Sequence, residues 1–240
     1  MRARAINGED VPVRSGRFGE LFAAGEQAVW DGTHAVEGDP GSTGRWGASV
    51  VLLPGGKLAD RLDELAWAAG TAAGGGHWHS GGLGRAHVTV RALEPCAEVV
   101  DPDRLVRYRA ALQRALHRVG SLAFEFSGLG TSVGGVMVSA RPTGSGPDEL
   151  RSRLGSELGA DGWLENAHFG SGRDPIWYCS ILHFASPVTD PERLLAWTRR
   201  NADAGLGTHA FDSVNVCTWA HDGRGMAPGV AASVPTAAHR

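Results

Sequence analysis

Apolar and polar side chains alternate most regularly at Ala86–Arg91, a pattern that predicts a half-buried β-strand. Because successive side chains on a strand point to opposite faces, His87, Thr89 and Arg91 share one face and the two intervening valines share the other. One face of this strand is therefore a hydrophobic floor. The other presents an imidazole, a hydroxyl and a guanidinium in a row.

A later predicted strand partly repeats this arrangement in the segment Ile181–Ala185. His183 lies between two apolar residues, as His87 does, but Ala185 occupies the position at which a second hydroxyl is expected. Ser186 is the next residue, and it reaches the face of His183 only if a β-bulge re-aims it. The pattern predicts two histidines, each on its own strand, facing one another across a groove.

Hydrophobic periodicity divides the rest of the chain into further helices and strands. Helices are predicted over 18–30, 58–67, 101–118, 147–158 and 190–201, and strands over 48–53, 122–126, 135–140, 176–185, 211–219 and 230–234. Gly25 interrupts the apolar face of the first helix. Five glycines surround His77-Trp78-His79 just before the first histidine strand, and they predict a flexible loop at the rim of the groove.

The two halves of the chain repeat one order of elements: strand, helix, strand. The matching segments are His87–Thr89 with His183–Ala185, Asp101–Leu105 with Asp190–Leu194, and Leu122–Glu125 with His209–Asp212. We therefore expect an α+β fold of two pseudo-symmetric lobes, each a mainly antiparallel sheet backed by helices, with a central groove. Residues 1–45 are expected to form an N-terminal extension, a short helix plus loop, and residues 46–240 the bilobal domain.

Composition limits the partners of this domain. The formal net charge is -3 and the pI about 6.4, which disfavours a long nucleic acid but leaves a small anionic ligand open. No stretch approaches the ~20 apolar residues of a membrane span, and no apolar run follows the first residues as in a signal peptide. Three unevenly spaced cysteines indicate reduced thiols, with Cys179 and Cys217 in the core, and hence a cytoplasmic protein.

The stretch His87–Arg91, the second histidine strand and the repeat together resemble the two-histidine (2H) phosphoesterase superfamily. That superfamily includes 2′-5′ RNA ligase-like proteins and cyclic nucleotide phosphodiesterases. The segment Phe124–Gly130 also resembles the middle section of the family, and the resemblance extends over about residues 46–219. It implies phosphodiester chemistry that needs neither a metal nor another cofactor. The departure is Ala185, because the second motif of the family has Ser or Thr at that position.

The resemblance implies a role for each candidate residue. His87 and His183 are the general acid and base, because an imidazole with a pKa near ~6.5 can give or take a proton at neutral pH. Which of them is the base stays open. Thr89, Arg91 and, in place of Ala185, Ser186 are the candidates for holding the phosphate. Trp78 and Tyr178 are candidates for stacking on a base or closing over the ligand.

The predicted substrate is a small nucleotide or an RNA end, carrying a 2′,3′-cyclic phosphate or a 2′-5′ linkage. Two other hypotheses remain from the residues themselves. The chain could be a non-catalytic nucleotide or RNA-end binding module whose second motif has degenerated. It could also be a zinc hydrolase that uses His77, His79 and His87, but two loop histidines without an acidic or cysteine partner nearby are a weak metal signal.

Overall fold

The computed structural model describes residues 16–38, 46–82, 84–95, 99–162 and 176–236. Its helices are α1 (Gly16–Trp30), α2 (Gly56–Ala73), α3 (Pro102–Leu116), α4 (Gly146–Leu158) and α5 (Pro191–Arg200). Its strands are β1 (Ser49–Leu52), β2 (Trp78–His79), β3 (Val88–Ala92), β4 (Ala123–Ser132), β5 (Gly135–Pro142), β6 (Tyr178–His183), β7 (Gly205–Ala210), β8 (Ser213–His221) and β9 (Met226–Pro235).

These strands form one curled antiparallel sheet, in the order β7-β4-β5-β6-β3-β1-β8-β9, with β2 paired to β6. The α+β class and the antiparallel arrangement are therefore confirmed. Along this order, four strands belong to the half that contains β6, and four to the half that contains β3. The two halves meet where Val88 of β3 pairs with Cys179 of β6. The histidine strands are thus immediate neighbours in the sheet.

The sheet has a main core on one face and a smaller apolar cluster on the other. Val50 and Leu52 of β1 pack with the helices in the main core, whereas Val51 between them belongs to the smaller cluster, with Cys217 and Trp219. This division follows from the alternation of side chains along a strand. The face that carries the smaller cluster is the face on which the candidate site lies.

The repeat seen in the sequence corresponds to a repeated helix start. After each histidine strand an Asp caps the next helix: the Asp101 carboxylate accepts from the Arg104 backbone N–H at 3.0 Å, and Asp190 accepts from Arg193 at 2.9 Å. A proline follows each Asp in the first helical turn. Both choices suit a helix N-terminus, because the cap satisfies a free N–H and proline has none to satisfy. The predicted strand–helix–strand order occurs twice along the chain, as β3-α3-β4 and as β6-α5-β7.

Helix α1 packs against β4, and Gly25 is the point of closest approach. A Cβ atom at position 25 would lie 2.3 Å from the carbonyl oxygen of Thr131. The glycine that interrupts the apolar pattern of this helix is therefore what allows the two backbones to approach. The helix buries Phe22 and Val29 on the same side.

The chain that follows α1 continues along the end of the sheet. The Ala35 backbone N–H donates to the carbonyl of Val133 at 2.8 Å, and that of Glu37 donates to the carbonyl of Phe184 at 2.6 Å. The Val188 N–H donates to Nε2 of His34 at 3.2 Å. The sequence predicts an ordinary loop residue at His34, but the structure buries it. These contacts bring the N-terminal segment beside the last residues of the second histidine strand.

The two described cysteines are core residues, as predicted, and Cys96 lies outside the described residues. Burial raises the pKa of Cys179 and of Cys217 to about 12. Neither thiol is ionised at neutral pH, so neither can serve as a nucleophile. In the described part of the chain, no helix combines the length and the apolar character needed to cross a membrane.

Candidate active site

A small hollow opens beside the junction of the two halves of the sheet. Its volume is about 130 Å³, and its lining residues are Trp46, Ser49, His87, Thr89, Tyr178, Ser180, His183 and Trp219. The hollow therefore combines two imidazoles, three aliphatic hydroxyls, one phenol and two indoles. Both predicted histidines, together with Thr89 and Tyr178, line it.

His87 lies directly before β3 and is fixed by its own backbone neighbourhood. Its Nδ1 is 2.9 Å from the carbonyl oxygen of Arg85. A carbonyl can only accept, so Nδ1 carries the proton and Nε2 is the basic nitrogen. The ring of Trp219 packs on the imidazole, with 4.4 Å between the centroids. Burial lowers the pKa of His87, and the bond to Arg85 only partly opposes this. The ring is consequently neutral at pH 7.

His183 ends β6 and has a different environment. Its Nδ1 lies 3.6 Å from Oε1 of Glu37, and the two side chains are only 11% and 4% exposed. The indole of Trp46 meets the imidazole edge-on, with centroids 4.9 Å apart. The sequence does not point to Glu37, because it lies in a segment without periodicity and far from His183 along the chain. No local signal marks such a contact.

The structure does not bring Arg91 to the hollow. In the pairing of β1 with β3, Val50 lies opposite Arg91 and Val51 opposite Thr89, so Val90 has no partner. This bulge reverses the alternation, and Arg91 therefore leaves the face that Thr89 occupies. Its guanidinium lies 9% exposed beside α4 and donates to the carbonyl of Gly162 at 3.3 Å. The expectation that Arg91 shares a face with His87 and Thr89 was wrong.

A second bulge changes the face of the other histidine strand. Leu182 and Ser180 of β6 pair with two consecutive residues of β5, so Ile181 between them has no partner on β5. In a regular strand, residues 180 and 183 would point to opposite faces. The bulge places Ser180 and His183 in the same hollow. Ser180 is thus a hydroxyl that regular alternation could not reveal.

Ser186, in contrast, does not line the hollow. Its Oγ donates to the carbonyl of Gly75 at 3.2 Å and lies 3.4 Å from Nδ1 of His77. These contacts tie the residues after β6 to the turn that follows α2. The structure therefore does not place Ser186 where a phosphate-binding hydroxyl was expected, and Ser180 is the serine on β6 that is available instead.

This difference yields a matched pair of variants. Ser180→Ala is expected to lower kcat/KM for a phosphodiester about 10–150-fold, since a hydrogen bond to a charged group contributes on the order of 1.5–3 kcal/mol. Ser186→Ala, which removes the same atom from a neighbouring segment, is expected to leave kcat/KM within about twofold. Steady-state kinetics of both variants decide the matter. A larger loss in Ser186→Ala than in Ser180→Ala contradicts the placement.

The segment around Trp78 is a strand and not the flexible loop that was predicted. Trp78 pairs with His183 and His79 with Leu182, so β2 extends the sheet beside β6. Two of the residues between the glycines, Trp78 and His79, thus gain backbone partners. The indole of Trp78 lies next to the rings of Trp46 and His221, at 6.2 Å and 5.0 Å between centroids, but it does not line the hollow.

The three histidines of the zinc hypothesis are not brought together. His77 contacts the carbonyl of Ala73, and His79 packs on Trp67 with 4.5 Å between ring centroids, whereas His87 lines the hollow. Within the described ranges, no group of three or more His, Cys, Asp and Glu side chains is placed to hold a metal ion.

Two tryptophans of the hollow were not foreseen from the sequence. Trp219 lies on β8, which borders the hollow through its neighbour β1. Trp46 has a φ of 65°, a backbone conformation that bulky residues rarely adopt. Gly47 follows it in a position where a Cβ would lie 1.7 Å from the carbonyl oxygen of Glu94. This tight backbone packing holds Trp46 against His183, an arrangement that periodicity cannot predict.

Comparison with known proteins gives a match in structure alone. No protein-family model matches the chain, and no curated protein matches its sequence. The crystal structure of TT0787 from Thermus thermophilus matches with a TM-score of 0.57 and 13% identity, over 79% of this chain and 97% of that one. A phosphoesterase structure matches with a TM-score of 0.53 and 13% identity, over 80% of this chain and 98% of that one. E. coli LigT complexed with NADP+ matches with a TM-score of 0.54 and 12% identity, over 80% of this chain and 98% of that one.

One of these structures is of a phosphoesterase and another is of LigT. The chain has their fold. The resemblance inferred from His87–Arg91 and from the repeat is thus confirmed for the architecture. At this level of identity the match concerns the fold, and the chemistry has to be argued from the hollow itself.

Proposed function

We propose that the protein is a metal-independent phosphodiesterase that hydrolyses a small nucleotide phosphodiester, a 2′,3′-cyclic phosphate or a 2′-5′ linkage, by acid–base catalysis between His87 and His183. The observation that carries this proposal is that both imidazoles line one hollow together with three hydroxyls. Imidazole is the side chain best suited to give and take protons near neutral pH. The fold shared with LigT-like phosphoesterases supports the same proposal.

The reaction requires two proton transfers around one phosphorus atom. One imidazole removes a proton from water as the water oxygen forms a bond to phosphorus. The other imidazole donates its proton to the leaving ribose oxygen as the bond from phosphorus to that oxygen breaks. Hydroxyls of Thr89 and Ser180 donate to the non-bridging oxygens, on which charge builds in the transition state. The products are a phosphomonoester and a free hydroxyl.

The size of the hollow indicates which part of the substrate it holds. Sites for whole drug-sized ligands usually occupy about 300–1,000 Å³, and this hollow has about 130 Å³. It can take the phosphate and the adjoining sugar oxygens, so the base lies outside, near the aromatic rim of Tyr178 and Trp46. LigT has been crystallised with NADP+ and with 3′-AMP, which supports a nucleotide as the substrate class.

Turnover of a 2′,3′-cyclic nucleotide in the presence of EDTA tests the proposal. We expect formation of one phosphomonoester product, measured by chromatography, with no loss after prolonged chelation. Tight binding of the nucleotide without turnover would instead support the non-catalytic binding module. Activity that chelation abolishes and zinc restores would overturn the metal-independent mechanism.

The pH dependence of kcat/KM has an expected direction. Burial lowers the pKa of His87 below its ordinary value of 6.5. A lowered pKa means that His87 stays unprotonated, and able to accept a proton, in solutions more acidic than a free imidazole allows. With His87 assigned as the proton acceptor, the acid limb of the kcat/KM profile is therefore expected below pH 6.5, the ordinary value for the imidazole. A limb well above that value that disappears in a His87 variant would contradict this assignment.

A further inference from the structure

The proton donor and the proton acceptor of the proposed reaction are distinguished by what lies behind each ring. Nδ1 of His87 faces a neutral carbonyl, that of Arg85, at 2.9 Å. Nδ1 of His183 faces a carboxylate, that of Glu37, at 3.6 Å. In both rings Nε2 is the remaining nitrogen, and in His183 it is buried in this structure. Only His183 has a carboxylate behind its Nδ1.

Burial of the Glu37 carboxylate costs free energy, because the group loses its hydration. Its side chain is 4% exposed, and an ionised carboxylate is rarely removed from water to this extent unless a positive or hydrogen-bonding group compensates it. Its position is also fixed by the backbone, because its N–H donates to the carbonyl of Phe184, the residue after His183. The carboxylate is therefore anchored to the end of the same strand that carries the imidazole.

We propose that Glu37, supplied by the N-terminal segment, is a positioning residue that holds His183 as the general acid and leaves His87 as the general base. A carboxylate at Nδ1 fixes the ring orientation and stabilises the imidazolium, the form that can donate a proton. A carbonyl at Nδ1 fixes the tautomer without favouring the charged form to the same degree. This inference rests on the proposed phosphodiesterase activity and adds the direction of proton flow.

The proton balance follows from this assignment. Nε2 of His87 takes a proton from the attacking water as the new bond between oxygen and phosphorus forms. Nε2 of His183 gives its proton to the leaving ribose oxygen as the old bond breaks. After the step His87 is charged and His183 is neutral, and exchange with solvent restores both states. Glu37 exchanges no proton in this scheme and touches neither substrate nor the attacking water.

Leaving-group dependence tests the assignment. A 2′,3′-cyclic nucleotide expels a ribose alkoxide that needs a proton, whereas a 4-nitrophenyl nucleoside phosphodiester expels a stabilised phenolate that does not. Glu37→Gln is isosteric and neutral. We expect it to lower kcat/KM for the cyclic nucleotide about 10–100-fold and to leave the nitrophenyl ester within about threefold of the unmodified protein. Glu37→Asp, which keeps the charge, should restore part of the loss.

Two controls separate this effect from a general change in structure. Glu20→Gln removes an exposed carboxylate of α1, 68% exposed in its pair with Arg17, and should change neither substrate. His87→Ala should slow both substrates, because both need the attacking water to be deprotonated. Equal losses on the two substrates in Glu37→Gln, or no loss on either, would overturn the inference.

A second readout does not depend on turnover. Nuclear magnetic resonance of the histidine side chains follows the titration of His183, which is assigned by its disappearance in His183→Gln. We expect that imidazole to titrate at lower pH in Glu37→Gln than in the unmodified protein, and at an unchanged pH in Glu20→Gln. An unchanged titration in Glu37→Gln overturns the role of Glu37. Failure of the unmodified protein to cleave any phosphodiester overturns the proposed function instead.

Discussion

His87→Ala and His183→Ala are each expected to lower kcat/KM for a 2′,3′-cyclic nucleotide by about 10²–10⁴-fold, the usual contribution of a positioned acid or base. The reason is that both rings line the same hollow, and in the proposed mechanism each supplies one of the two proton transfers. The double variant should lose little more than the worse single variant, because the two transfers belong to one step. Initial rates at saturating and limiting substrate measure both effects.

A distant histidine provides the control for this pair. His117→Ala removes an exposed imidazole at the C-terminal end of α3, outside the lining of the hollow, and kcat/KM should stay within about twofold. Far-ultraviolet circular dichroism of all three variants shows whether the sheet is intact. Full activity in either His87→Ala or His183→Ala, with the fold preserved, would exclude the two-histidine mechanism.

Gly25→Ala is expected to destabilise the protein by about 1–3 kcal/mol, although alanine is the better helix former by about 1 kcal/mol. The packing around position 25 decides whether the substitution stabilises or destabilises the protein. The new Cβ would lie 2.3 Å from the carbonyl oxygen of Thr131, and a backbone atom cannot move aside as a flexible side chain can. Thermal unfolding should show Tm lowered by about 2–4 °C for each kcal/mol lost in a chain of this size.

The matched glycine variant is Gly144→Ala. A Cβ at position 144 meets nothing within 4 Å, so Tm should change little. Because α1 leads directly into the segment that carries Glu37, Gly25→Ala should also lower the cyclic-nucleotide activity more than Gly144→Ala does. A Tm in Gly25→Ala equal to or above that of the unmodified protein would show that α1 does not pack on β4 as described.

Much of the fold could be predicted because strands with one buried face and amphipathic helices place apolar residues at regular intervals in the sequence. The helix starts at Asp101 and Asp190 were recognisable because capping chemistry is local. The strand β7 was missed, since it lies at the edge of the sheet and its mostly exposed, glycine-containing residues show no alternation. Hydrophobic periodicity arises where one face of an element is buried. An edge strand with little buried surface therefore shows no such periodicity.

The candidate site was predicted in part, and the exceptions have a common physical cause. The positions of His87, Thr89 and His183 followed from alternation. A bulge at Val90, which has no partner on β1, and another at Ile181, which has no partner on β5, each shift that alternation by one residue. One shift removes Arg91 from the hollow, and the other brings Ser180 into it. Bulges depend on how neighbouring strands pair, so the sequence of a single strand does not reveal them. The same is true of any contact between distant segments, such as that of Glu37 with His183.

The make-up of the hollow has a consequence for the end of the catalytic cycle. Among the described residues that line it there are hydroxyls, imidazoles and indoles, and no Lys or Arg. In the proposed reaction, a phosphomonoester leaves with more negative charge than the diester that entered. Because the lining has no permanent cation to bind that extra charge, we expect it to bind the product no more tightly than the starting ester. For the proposed reaction we therefore expect bond breaking, and not departure of the product, to limit turnover.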